Sequence, residues 1–191
     1  MKSPWGCVLA GVGAVVVVAI IIVVTLMGMY NSLVTKSQAI DAQWAQVETQ
    51  YQRRFDLIPN LVNTVKGMMK QEQTVFQAIA DARTKYGGAT TVDAKAAAAG
   101  EVESALGRLL AIVENYPELK SSQNVTNLMD ELAGTENRIS VERRRYNELV
   151  RDYNTQIKTF PTNMLAGVFG FSEKAYFQSV TGADQAPKVE F

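Results

Sequence analysis

The sequence predicts an all-α protein: an N-terminal transmembrane helix followed by an elongated antiparallel four-helix bundle. Three observations carry this expectation. Val8–Met29 is a 22-residue run without a charge. Beyond it, apolar residues recur at steps of three and four, the signature of amphipathic helices. No segment alternates apolar and polar residues for long enough to make a sheet. The expected organisation is a short N-terminal flank (1–7), a membrane anchor (8–29), the bundle (30–160), an apolar docking segment (161–178) and a flexible tail (179–191).

As a helix rising ~1.5 Å per residue, the uncharged run is ~33 Å long, enough for a hydrocarbon core of ~30 Å. A cleaved signal peptide is the competing reading. It needs an apolar region of roughly 7–15 residues before a small-x-small site, whereas this run is longer and ends in Thr25-Leu26-Met27-Gly28-Met29-Tyr30, a poor cleavage site. A lipoprotein cysteine follows its apolar run; Cys7 precedes this one. Lys2 is the only charge before Lys36, and positive-inside reasoning then puts the N-terminus in the cytoplasm and the domain outside it.

The first bundle stripe is Leu33, Ser37, Ile40, Trp44, Val47, Tyr51 and Phe55, with Trp44 expected as a core anchor worth roughly 3–5 kcal/mol if fully buried. Pro59 cannot continue the preceding hydrogen-bond ladder but suits a first helical turn, so a turn is expected near 56–58, with a kink in one continuous helix as the rival. The second stripe, Leu61, Val65, Met68, Glu72, Phe76, Ile79 and Tyr86, stops at Gly87-Gly88, and Met68-Met69 reads as core filling. The third begins near Asp93 as N-cap and runs through Val102, Leu106, Leu109, Val113 and Tyr116 to Pro117. The fourth, Leu128, Leu132, Thr135, Ile139, Glu142, Tyr146, Leu149, Tyr153, Gln156 and Phe160, keeps a 3.5-residue repeat that favours coiled-coil-like packing. A helix from Ser121 to Thr159 is ~58 Å long.

Composition removes several functions. Lysine plus arginine and aspartate plus glutamate each number 19. With Lys2 set aside, the remaining 18 basic groups fall one short of the 19 acidic ones, and so even a balance excludes broad attraction to nucleic acid. There is no histidine and one cysteine, which excludes a histidine triad, the usual zinc sites and an intrachain disulfide. No phosphate loop or nucleophile elbow is present. No metal or cofactor is expected.

Glu72 and Glu142 fall on apolar stripes, with Arg54 and Arg143 among the cations available to pair with them. A carboxylate pair for metal or proton chemistry is one reading; a salt bridge that sets helix register is the simpler one. Arg143-Arg144-Arg145 fans around a helix and reads as solvated or ion-paired. After Phe160-Pro161, the residues Met164, Leu165, Val168, Phe169, Phe171, Tyr176 and Phe177 make an apolar cluster broken by glycines. It can fold back on its own bundle, meet another protein or touch the bilayer. The expectation is that it packs on protein and helps build a homo-oligomer, with Phe160, Met164, Leu165, Phe169, Phe171, Tyr176 and Phe177 as assembly residues.

Four stretches, "YNSLV", "RRFDLIPNLVNTVKG", "ENRISVERRRYNELVRDYN" and "FPTNMLAGVFGF…YF", occur in that order between Tyr30 and Phe177. Together they resemble the LemA family. The resemblance implies a protein of the bacterial cytoplasmic (inner) membrane with one N-terminal span and an antiparallel four-helix bundle. It supplies no catalytic residues. Genes of that family often lie near those of TPM-domain proteins or membrane metallopeptidases, which implies envelope partners of those kinds. The matching positions are Arg54, Asp56, Pro59, Asn60, Glu136, Asn137, Arg138, Tyr146, Asn147, Tyr153, Asn154, Phe160 and Pro161, which look like helix-turn and interhelix contacts. Glu142 stands where many relatives have alanine. Three functions compete: a membrane-tethered scaffold for partners or for copies of itself, a ligand-responsive sensory bundle acting through a membrane partner, and an enzyme using carboxylates. The scaffold is the expectation, with no enzymatic activity.

Overall fold

The computed structural model of the chain describes residues 4–66 and 73–178. Glu72, Met68, Met69 and the tail expected at 179–191 lie outside the described residues. Six helices follow in order: α1 (Pro4–Lys66), α2 (Gln73–Gly88), α3 (Val92–Glu114), α4 (Pro117–Lys120), α5 (Gln123–Lys158) and α6 (Thr162–Phe169). Among the described residues there is no strand.

The expected turn near 56–58 is absent, and α1 runs through Pro59. The reason lies in burial. Tyr51, Phe55, Ile58, Leu61 and Val65 are all buried and stay on one face across the proline, and each such side chain contributes on the order of 1.5–3 kcal/mol. That sum exceeds the ~3 kcal/mol cost of an interior proline. Leu61 and Val65 therefore belong to α1, not to the second helix. The N-cap of α3 is Thr91, whose hydroxyl oxygen accepts from the Ala94 amide at 3.2 Å; Asp93 sits in the first turn instead. Pro117 does not end α3, which is already capped at Asn115; it opens the single turn of α4. For the long fourth stripe, α5 matches expectation to within two residues at each end.

The chain divides into two compact units, Met1–Asp41 with Arg151–Lys174 and Ala42–Val150 with Ala175–Phe191. In the first, Leu33, Ile40, Tyr153, Ile157 and Ala166 are buried, while Val12 to Met27 are exposed along α1. This helix is long and apolar enough to cross a membrane. In the second unit the core is drawn from every helix it contains. It includes Val47, Tyr51, Ile79, Leu106, Leu109, Leu119, Leu132, Ile139 and Tyr146. The alanines Ala96, Ala98, Ala99 and Ala105 are buried on α3, and their small side chains let α2 and α3 pack closely. Trp44, expected as a fully buried anchor, is only half-buried; its ring lies 5.3 Å from that of Tyr146 and 5.8 Å from that of Phe177. The buried α5 positions Val125, Leu132, Ile139, Tyr146 and Tyr153 are seven apart. Val150 and Ile157 are buried where Leu149 and Gln156 were expected, and Phe160 is exposed.

Candidate functional site

The second unit holds a polar centre inside an aromatic shell. The Tyr51 ring lies 5.0 Å from that of Tyr86, 6.1 Å from Phe55 and stacks on Phe177 at 6.3 Å. Beside these rings Arg54 on α1 pairs with Glu136 on α5, and Arg143 on α5 with Glu103 on α3 at 3.1 Å. The Arg143 guanidinium also sits over the Phe177 face, 4.4 Å from its centroid, a cation–π contact. Two ion pairs, two turns apart on α5, thus tie three helices together. Among the described residues the Tyr86 hydroxyl is buried without a hydrogen-bond partner, and burial pushes both Tyr51 and Tyr86 well above the usual phenol range.

Burial likewise raises the Glu103 carboxyl, reinforced by the negative charge of Glu136; Arg143, Arg54 and the nearby Tyr51 hydroxyl pull the other way. A carboxyl raised in the fold above its ordinary 4.5 binds more protons folded than unfolded. Its contribution is therefore complete below about 4.5 and is lost as pH rises through the folded value. Relative to Glu103→Gln, the parent is expected to lose stability as pH rises from about 4.5. Denaturant titrations of both at a series of pH values check this. A parent that gains on the variant instead would mean the Arg143 pair outweighs burial.

Glu142 does not join this centre. It is half-buried, accepts from the Gln43 amide at 2.6 Å and pairs with Arg145 at 2.9 Å. Of the four residues expected as a polar core, the structure brings Arg54 and Arg143 together around Glu103, leaves Glu142 aside, and Glu72 lies outside the described residues. Glu103 was missed because nothing in its spacing separates it from a solvated glutamate. Among the described residues no three acidic or cysteine side chains converge as a metal site requires.

The C-terminal segment splits into two parts with different fates. Residues 171–178 are non-helical and are held by side chains of α5. In the first unit, Asn154 donates to the Lys174 carbonyl and accepts from its amide, both at 2.9 Å. In the second, Asn147 makes the same paired contact with Phe177 at 2.9 and 2.8 Å, and the Tyr146 hydroxyl donates to the Ala175 carbonyl. An asparagine amide complements the backbone N–H and C=O of one residue, which explains the repeated Tyr-Asn at 146–147 and 153–154. Asn147→Ala leaves the Phe177 amide and carbonyl, in a part-buried non-helical segment, without these partners. It is expected to cost about 1–3 kcal/mol, read from the denaturation midpoint at unchanged m-value.

Phe177 is buried, and Leu165 and Phe171 are half-buried. Phe160, Met164, Val168, Phe169 and Tyr176 are exposed. In α6 the residues turned inward are Thr162 and Ala166, and Gly170 closes the helix at φ 74°, a conformation that favours glycine. Phe169 and Phe171 both meet the Tyr30 ring, at 5.1 and 5.6 Å.

A sequence model of the LemA family matches residues 43–191. Among characterised proteins, the chain is 32% identical to magnetosome protein MamQ 2 of Paramagnetospirillum magneticum, over 91% of this chain and 75% of that one. It is 29% identical to magnetosome protein MamQ of Magnetospirillum gryphiswaldense, over 85% and 69% of the two chains. It is 24% identical to protein LemA of Metamycoplasma hominis, over 80% and 70%.

Proposed function

The chain belongs to the LemA family, and on that premise we propose that it is a single-pass membrane protein that works as an interaction scaffold rather than as an enzyme. One observation carries this reading. Along a single unbroken α1, the exposed apolar surface of Val12 to Met27 gives way to the buried Leu33 and Ile40. The helix that can enter a bilayer is thus the same helix that builds the folded domain, which suits a tether whose task is to hold a packed surface at a membrane.

The domain itself we take to be an antiparallel four-helix bundle. Support comes from the pairings Gln43 with Glu142 and Arg54 with Glu136, in which position rises along α1 as it falls along α5. Lys85 with Glu101, between α2 and α3, supports a second such pair. The location is the bacterial cytoplasmic (inner) membrane with the bundle outside the cytoplasm, and the scaffold self-associates. Envelope proteins of the TPM-domain or membrane-peptidase kinds are its candidate partners. Two of the relatives above are named as magnetosome proteins, a naming that supports a part of a cellular structure. Light scattering in mild detergent tests this: a defined multimer supports the scaffold, while a strict monomer ends the self-association. Protease accessibility of the domain in spheroplasts tests its side.

A second reading, a ligand-responsive bundle, draws on one feature. A groove of about 810 Å³ in the second unit is lined by Glu48, Gln52, Arg53, Asp56, Arg83 and Lys95 among others. A ligand-dependent thermal shift in a monomer favours that reading.

A further inference from the structure

The amphipathicity of α6 is inverted. Thr162 and Ala166, one turn apart, face the protein. Met164 and Val168, also one turn apart, lie about 180° round the helix from them and are 65% and 79% exposed. Phe169 is 55% exposed. In water a short helix buries its apolar side chains and leaves threonine outside. Here the apolar side chains are the ones left over, and an exposed apolar patch of this kind marks an interaction surface.

Its position in the first unit says with what. The exposed apolar run along α1 ends at Met27, and by Leu33 one face of the helix is buried, so lipid-facing surface gives way to protein-facing surface within about 9 Å. Tyr30 stands in that interval, where tyrosines gather at membrane–water boundaries. The same Tyr30 ring touches Phe169 and Phe171. The C-terminal end of α6, at Phe169, therefore adjoins through one tyrosine the end of the span, while Met164 and Val168 lie about 120° further round the helix from Phe169 and away from the protein. No charge occurs between Lys158 and Glu173, the stretch that contains all of α6. The flanking cations are themselves paired, Lys158 with Glu173 and Lys174 with Asp41.

We propose that α6 is an interfacial helix whose Met164, Val168 and Phe169 lie in the headgroup–acyl boundary of the bilayer that α1 crosses. This rests on the reading of α1 as a membrane span. An isolated helix this short and without a basic face binds bilayers poorly. Here α1 and the Tyr30 contacts hold it at the boundary, so the binding is intramolecular and needs little intrinsic affinity. The occupant of the patch differs from the neighbouring copy expected from sequence alone, because the helix that carries it is held by Tyr30 beside the end of the span.

Spin labels on the full chain test the proposal. In a Cys7→Ser background, Met164→Cys, Val168→Cys, Asn163→Cys and Val18→Cys are each labelled with a nitroxide. The proteins are reconstituted in phosphatidylcholine–phosphatidylglycerol vesicles. Collision rates with oxygen, which concentrates in lipid, are compared with those of a water-soluble nickel chelate. The expected result is oxygen accessibility several-fold above nickel accessibility at 164, 168 and 18, and a smaller ratio at 163. Nickel-accessible labels at 164 and 168 with a lipid-exposed Val18 label would overturn the proposal and leave the anchor standing. A nickel-accessible Val18 label would overturn the anchor. Labels at 164 and 168 shielded from both reagents and dipolar-coupled between chains would assign the patch to a second copy and overturn the lipid contact. Circular dichroism of each labelled chain confirms that the fold is retained.

Discussion

Phe177→Ala is expected to destabilise the unit formed by Ala42–Val150 and Ala175–Phe191 by about 3–5 kcal/mol, the range for removing a buried aromatic ring. Phe177 is 3% exposed, stacks on Tyr51, meets Trp44 and lies under the Arg143 guanidinium. Removing the ring leaves a cavity beside Tyr51 and Trp44 and strips the cation of its π face. The two backbone contacts from Asn147 survive the change, so the loss reads packing rather than attachment of the C-terminal segment. Far-ultraviolet circular dichroism against denaturant measures it. Phe169→Ala in detergent supplies the contrast: that ring is exposed, and its loss is expected to stay within about 0.5 kcal/mol. Equal effects at the two positions would mean that Phe177 does not anchor the core.

Deleting residues before Tyr30 is expected to convert an integral membrane protein into one released by alkaline carbonate. The Val12 to Met27 stretch is dominated by valine, isoleucine and leucine, all exposed in the fold. Each such residue favours the bilayer centre by about 0.3–0.6 kcal/mol, so the run holds the chain by several kcal/mol or more. The truncated chain is expected to remain helical, since the core of the second unit lies wholly beyond it. Fractionation of cells expressing each form is the measurement. A full-length chain whose mature N-terminus maps near Met29 would show that the run is removed rather than retained.

How much of this was legible depends on the kind of interaction. The candidate span, the α1 face from Leu33 to Phe55 and the extent of α5 follow from the sequence alone, because burial at a period near 3.6 residues leaves its trace in the order of apolar side chains. Leu132, Ile139, Tyr146 and Tyr153 need no partner to be recognised as one face. Four features were decided only in three dimensions. The helix passes through Pro59 because the buried face on both sides of it outweighs a local penalty. Glu103 acquires its raised affinity for protons from burial and from the charge of Glu136, against the pull of Arg143 and Arg54, and these partners come from other helices and leave no mark on its own neighbours in sequence. Asn147 and Asn154 stood out as motif positions, yet their role is to pair with peptide groups some 20 to 30 residues away. The apolar residues after Phe160 looked like one cluster, and the fold divides them, with Phe177 inside and Met164 and Val168 outside. Composition says that a side chain prefers to leave water; only the tertiary structure says whether protein is there to receive it.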